Sequence, residues 1–152
     1  MLRVHHDGSL SLVRHGVVSS GGTLPDSVAV SGDLVYVANS GAGDANYTGS
    51  GSASTDDGQF LFTVNTASGT ISRFQIAANG TLTLLGSTTV GKSGGVGAVD
   101  TRLSPDGSFL YVDESKAGAV GVFAVNGGNL TELASSPAAL PAGATPADIV
   151  VN

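Results

Sequence analysis

The sequence predicts an all-β fold built from repeated four-stranded antiparallel units. Three observations carry this expectation. The composition suits short strands and tight turns: of 152 residues, 23 are glycine, 41% are hydrophobic and only 12% are charged, against a usual charged share of about 25%. Asx-Gly pairs separate short runs that alternate apolar and polar, the pattern of β-hairpins. Two sequence units then recur along the chain, the mark of a repeat architecture.

The first unit is a strand, a turn containing Gly, and a second strand rich in Leu. It begins the chain as Leu2-Arg3-Val4-His5-His6-Asp7-Gly8-Ser9-Leu10-Ser11-Leu12-Val13. It returns from Phe74 to Leu85 around Asn79-Gly80, and from Phe123 to Leu133 around Gly127-Gly128-Asn129. The second unit is an inner strand, a turn and an aromatic strand. Asp26 to Asn39 is one copy, turning at Gly32-Asp33, and Asp100 to Glu114 is another, turning at Ser104-Pro105-Asp106-Gly107. Asp, Asn and Gly serve such turns because they hydrogen-bond locally or tolerate positive φ. Gln59 to Asn65 repeats the aromatic strand alone, and Thr145 to Val151 repeats the inner strand alone.

With strands named A to D from the centre outwards, the chain reads C-D, A-B, B-C-D, A-B-C-D and a final A. That is about 12 strands, a partial β-propeller of about three four-stranded antiparallel blades. Residues 1–152 read as a single propeller-like domain. From Phe60 to Phe109 is 49 positions, a full blade, whereas Leu34 to Phe60 is only 26. The shortfall falls in residues 41–58, whose Gly, Ser, Asp and Ala content predicts a flexible loop, a deletion scar or a linker.

Tyr36-Val37-Ala38-Asn39, Ser104-Pro105-Asp106-Gly107 with Leu110-Tyr111-Val112, and Thr145-Pro146-Ala147 resemble the blade repeats of seven-bladed lactonase propellers. That family includes 6-phosphogluconolactonase-like and carboxymuconate-cyclase-like proteins. The resemblance covers nearly all of the chain outside residues 41–58 and implies hydrolysis of a lactone, either a sugar lactone or an acyl-homoserine lactone. Propellers host many unrelated functions, so a non-catalytic binding module and an inactive fragment of a larger lactonase are the alternatives. The chain has roughly half the seven blades the family implies. Exposed edges of a half-ring favour self-association, with a second copy completing the blades.

Superposed inner strands put Ser27, Asp100 and Asp148 at one position, and Asn39, Asn65 and Glu114 coincide at the ends of the second strands. Inner strands line a propeller's axis, so these side chains are expected to converge. Asp100, Asp148, Asn39 and Asn65 form a candidate Ca²⁺ set, since hard cations take many oxygen ligands and a bound Ca²⁺ polarises a carbonyl. Against this stands the plainer reading that such residues cap turns. The expected catalytic set is Asp100, Asp148, Arg102 and Glu114, with Arg102 at the oxyanion and Glu114 or Asp113 as base. His5 and His6 are possible bases but flank a hairpin turn, and His15 reads as surface.

Three motifs carry little. Gly86-Ser87-Thr88-Thr89-Val90-Gly91-Lys92-Ser93 matches the phosphate-loop pattern, but the Gly-rich residues that follow are poor helix formers, and that loop needs a helix. Asp44-Ala45-Asn46-Tyr47-Thr48-Gly49 resembles half of a Ca²⁺ loop, with Thr55 at position twelve where Glu is needed. Gly91-Lys92-Ser93-Gly94-Gly95 has the Gly-x-Ser-x-Gly spacing, but a nucleophile elbow needs a helix after its Ser and the residues that follow are poor helix formers, so serine catalysis has no support. A net charge of −6, with 6 Lys plus Arg, speaks against nucleic-acid binding. No apolar run approaches membrane-span length, the residues after Met1 lack a signal-peptide core, and the absence of cysteine removes disulfides and thiolate metal sites.

Overall fold

A computed structural model describes residues 2–13, 19–39, 50–91 and 97–152. Its described residues hold 13 strands, all paired antiparallel, and no helix. His15, the loop 44–49 and Lys92-Ser93 lie outside the described residues, and β-strand runs through Gly86 to Thr89.

Strands β1 (Leu2–Val4) and β2 (Leu10–Leu12) form one hairpin, and β3 (Pro25–Ser31) and β4 (Leu34–Asn39) form another. A complete blade follows as a meander: β5 (Ser50–Ser54), β6 (Phe60–Asn65), β7 (Thr70–Ile76) and β8 (Leu82–Thr89). A second complete blade comprises β9 (Ala98–Leu103), β10 (Phe109–Glu114), β11 (Ala119–Asn126) and β12 (Asn129–Glu132), with a two-residue strand β13 (Ala138–Ala139) on β11. The hairpin turns sit where Asx-Gly predicts them. Gly8, Gly80 and Gly107, for example, have φ of 81°, 82° and 70°, which only glycine adopts without strain.

Two expectations are corrected. Residues 41–58 are not wholly loop: β5 occupies 50–54 and supplies the inner strand of the first complete blade. Its Ser and Gly content hides it from propensity, because β preference follows burial and neighbours more than residue type. The missed signal lies just downstream. Thr55-Asp56-Asp57-Gly58 is the same turn as Ser104-Pro105-Asp106-Gly107. In both, the first hydroxyl donates to the Asp carboxylate at 2.6 Å, and the amide of Gln59 or Ser108 donates to it at 3.0 Å. A turn of that kind before an aromatic strand requires a strand ahead of it. The second correction is that 145–151 forms no strand.

The main core lies between the two complete blades. Phe62, Val64 and Ile71 pack there against Ala98, Leu110, Val112, Phe123 and Leu130. Arg73 pins the blades together from outside, its Nη1 donating to the Gly128 carbonyl at 2.8 Å and to Asn129 Oδ1 at 2.9 Å. A smaller cluster joins Ala29 and Tyr36 of the β3–β4 hairpin to Leu61, Phe74 and Ile76. Tyr36 also donates to the Gly80 carbonyl at 3.3 Å. The three inner strands β3, β5 and β9 therefore lie side by side, as a fan about one axis requires.

Candidate functional site: an acidic axial cleft

The inner strands share a local irregularity at their first residues. The ladder slips at Asp26 in β3, at Gly51 in β5 and at Val99–Asp100 in β9. Such bulges bend a strand and re-aim one side chain. They fall at the same repeat position, and together they open a cleft of about 500 Å³ lined by Asp26, Ser27, Val28, Gly51, Val99, Asp100, Arg102, Ala147 and Asp148. Gly51 belongs here for a steric reason. A methyl group on it would come within 2.6 Å of the Asp100 Cα, and its φ is +64°. Glycine lets β5 and β9 approach closely enough for Asp100 to face the axis.

Asp100 and Asp148, 48 positions apart in sequence, meet in this cleft. The Ile149 amide donates to both, at 3.3 Å to Asp100 Oδ2 and 2.8 Å to Asp148 Oδ1. Arg102 reaches both as well, at 3.4 Å to Asp100 Oδ1 and 4.0 Å to Asp148 Oδ1. Asp148 is exposed and Asp100 mostly covered, with side-chain exposures of 76% and 13%. Burial raises the Asp100 carboxyl, and its hydrogen bond to Asp148 raises it further; backbone donors and Arg102 oppose this. The same hydrogen bond, with the Ile149 amide, holds Asp148 below the usual carboxylate range. Two adjacent carboxyls cannot both ionise freely, and the pair divides accordingly: Asp100 is biased towards its protonated form and Asp148 towards its charged form.

Asp113 stands one strand outwards on β10, only 1% exposed, and its Oδ2 has no partner. Burial, reinforced by the charges of Asp100 and Asp148, pushes its carboxyl up to about 6. Counting from the shared turn, Asp113 occupies the position that Val64 holds in the preceding blade. A carboxylate replacing a core valine was the sequence signal for a third acid beside the pair.

The remaining expected site residues are elsewhere. Glu114, the neighbour of Asp113, points to the opposite face of β10, as strand alternation requires. It is fully buried, lies against Gly121, and both carboxylate oxygens lack partners. Burial and the nearby Glu132 raise its carboxyl. Glu114 does not line the axial cleft. Asn39 and Asn65 line a separate cleft with Tyr36, Leu61, Thr63 and Phe74. Asn65 Nδ2 donates to Thr70 Oγ1 at 3.1 Å and Ser72 Oγ at 2.9 Å, and Asn39 Nδ2 to the Ser20 carbonyl at 3.4 Å. The expected Ca²⁺ set is thus divided between two clefts. The separation arises because the first position of an inner strand faces the axis, whereas the last position of a second strand turns towards the neighbouring hairpin. His5 Nε2 bonds Ser11 Oγ at 2.7 Å on an exposed hairpin, and Thr55, the twelfth position of the Ca²⁺-loop reading, serves its turn.

Comparison with known proteins agrees with this architecture. The chain resembles a Lactobacillus plantarum protein of known structure (TM-score 0.67, 23% identity, covering 91% of this chain and 50% of that one). It also resembles a candidate 6-phosphogluconolactonase of Bacteroides fragilis (0.59, 21%, 86% and 49%). A third similar structure is the periplasmic gluconolactonase of Pseudomonas aeruginosa (0.50, 21%, 74% and 34%). The chain thus spans about half or less of the length of these structures. Among curated proteins, no sequence matches it. The family description "Lactonase, 7-bladed beta-propeller" matches residues 42–145, covering both complete blades and the acids at 100 and 113, and on that match this chain belongs to the lactonase family of seven-bladed β-propellers.

Proposed function

We propose that the chain opens a lactone ring in the axial cleft, with Asp148 and Asp100 as the proton-transfer pair and Arg102 as the oxyanion partner. The observation that carries this reading is the convergence of Asp100 and Asp148 on one guanidinium and one backbone amide, that of Ile149. Charged Asp148 takes a proton from water as the water oxygen bonds to the carbonyl carbon. Arg102 steadies the developing oxyanion. As the ring C–O bond breaks, Asp100 gives its proton to the departing alkoxide. The product is a hydroxy acid, and the proton taken up by Asp148 replaces the one that Asp100 gave up. Asp113 is a positioning residue: buried behind Asp100, it keeps the potential at the pair negative once it ionises.

The lining favours a neutral sugar lactone over the other candidates. Its polar groups are three acids, one serine and one arginine, and its apolar lining is limited to Val28, Val99 and Ala147, too little to hold an acyl chain. A phosphorylated lactone would face the acids, with Arg102 already engaged. The donor set also does not fit Ca²⁺. Among the described residues no three His, Cys, Asp or Glu side chains are grouped to hold a metal, and Arg102 occupies the cation position between Asp100 and Asp148. No step is therefore routed through a metal.

Acid release from a panel of neutral sugar lactones, phosphorylated sugar lactones and acyl-homoserine lactones tests the reading. Turnover is expected for the neutral sugar lactones, unchanged by a chelator, and lowered about 100-fold or more in Asp100→Asn and Asp148→Asn. Wild-type turnover in both variants would overturn it.

A further inference from the structure

The cleft that holds Asn39 and Asn65 lies between the β3–β4 hairpin and the blade β5–β8, and it shares no lining residue with the axial cleft. Ala38 is on the same face of β4 as Tyr36, the face that packs on the blade. The small side chains of Ala38, Ser52 and Ser72 leave room there. The volume is about 260 Å³, just under the range of about 300–1,000 Å³ that holds drug-sized ligands, so it suits a single ring.

None of the lining residues carries a charge. Leu61, Phe74 and Leu82 supply an apolar wall, and Leu61 and Phe74 are anchored in the smaller core cluster. The polar groups are oriented by their own bonds. Asn39 gives its Nδ2 to the Ser20 carbonyl at 3.4 Å, while its buried Oδ1 has no partner. Gly22 lets the preceding segment close on this amide, since a Cβ there would come within 2.6 Å of Asn39 Cγ. Asn65 spends both Nδ2 hydrogens on Thr70 and Ser72, which leaves its Oδ1 to accept. The hydroxyls of Ser52 and Thr63 hold each other at 3.2 Å and keep accepting capacity. An apolar occupant would leave Asn39 Oδ1 unpaired, at a cost in affinity. An anion would meet amide oxygens and no cation to offset its desolvation. Hydroxyl donors carried on a C–H framework satisfy both kinds of lining.

We infer that this cleft binds a small neutral polyhydroxy compound the size of one sugar ring, its hydroxyls donating to the amide oxygens of Asn39 and Asn65 and its C–H face resting on Phe74 and Leu61. The site stands apart from the proposed reaction and uses none of its residues.

Titration of the full chain with methyl α-glucopyranoside, which has no lactone to open, tests this by calorimetry and saturation-transfer NMR. A ligand of about a dozen heavy atoms at ordinary ligand efficiency gives a dissociation constant on the order of 1 mM. Asn39→Ala is expected to weaken binding about 3- to 10-fold, the share of one hydrogen bond. Ala38→Phe, which fills the gap, is expected to abolish it. Glucose 6-phosphate is expected to bind at least about tenfold more weakly than the neutral glycoside, for want of a cation. Circular dichroism shows whether each variant is folded, and Asn39→Ala decides the matter where the bulkier variant is not. Absence of saturable binding to the wild type would overturn the inference. So would equal affinity for the phosphate, or an affinity unchanged in Asn39→Ala. Loss of binding in Asp100→Asn/Asp148→Asn would place the glycoside in the axial cleft and overturn it too. Acid release from a lactone enters none of these readouts, so failure here is distinct from failure of the proposed reaction.

Discussion

The blade β5–β8 and the hairpin β3–β4 share antiparallel pairing and strand alternation, yet only the blade buries both of its faces. Phe62 and Val64 of β6 look towards the following blade and are fully buried, and Leu61 looks towards β3–β4 and is 3% exposed. In β3–β4 one face finds that neighbour and the other finds none. Nine of the thirteen large apolar side chains exposed among the described residues precede residue 40. Local sequence makes a hairpin wherever the turn and alternation agree. Burial is a property of adjacency, so stability concentrates where a blade has neighbours on both sides.

The sharpest way to break this comparison is a pair of truncations. Phe62→Ala should cost about 3–5 kcal/mol in denaturant unfolding, the range for a buried aromatic. Leu10→Ala should leave the same transition unchanged. Equal losses would mean that the N-terminal hairpin belongs to the same cooperative unit as the blades.

A smaller effect of opposite sign is expected at Asp113. Its carboxyl ionises at 3.8 ordinarily and at about 6 in the fold. The folded state therefore holds the proton more tightly, and stability declines as pH rises from about 4 to about 6, with the full penalty present above that. Asp113→Asn should stabilise the protein at pH 7 by about 2–3 kcal/mol, flatten the dependence of melting temperature between pH 4 and 6, and lower lactone turnover. Val64, the equivalent position in the preceding blade, offers no such gain. A destabilised Asp113→Asn would show that the carboxylate serves packing and not the cleft.

The smallest effect separates equivalent turns. Asp57→Ala removes bonds from Thr55 and Gln59 at the base of a complete blade and should cost about 1 kcal/mol. Asp7→Ala removes the matching pair from Ser9, yet should leave the main melting transition in place, because β1–β2 packs into neither of the two described core clusters.

Much of the candidate site could be read from the repeat. Equivalent positions on successive inner strands share a direction, so aligning Ser27, Asp100 and Asp148 was enough to bring the two acids together, and Arg102 came with them. The repeat read less well at strand ends. Glu114 and Asp113 are neighbours in sequence, and only the register at the bulge decides which of them lies beside Asp100. Asn39 and Asn65 share a repeat position with Glu114 but meet a different neighbour, so their amides serve a second cleft.

By itself the sequence determined the hairpins, their turns, their order and the axial direction of the inner strands, because these depend on residues close together in the chain. The tertiary structure decided the rest. It made a strand of Ser50–Ser54, since a Ser-Gly stretch becomes β only when flanking strands supply its ladder and a close-packed neighbour needs the room. It left 145–151 unpaired, since a strand needs a partner. It also set the direction in which the carboxyls of Asp100, Asp113 and Asp148 shift, since burial and the spacing of charges exist only once distant segments are brought together.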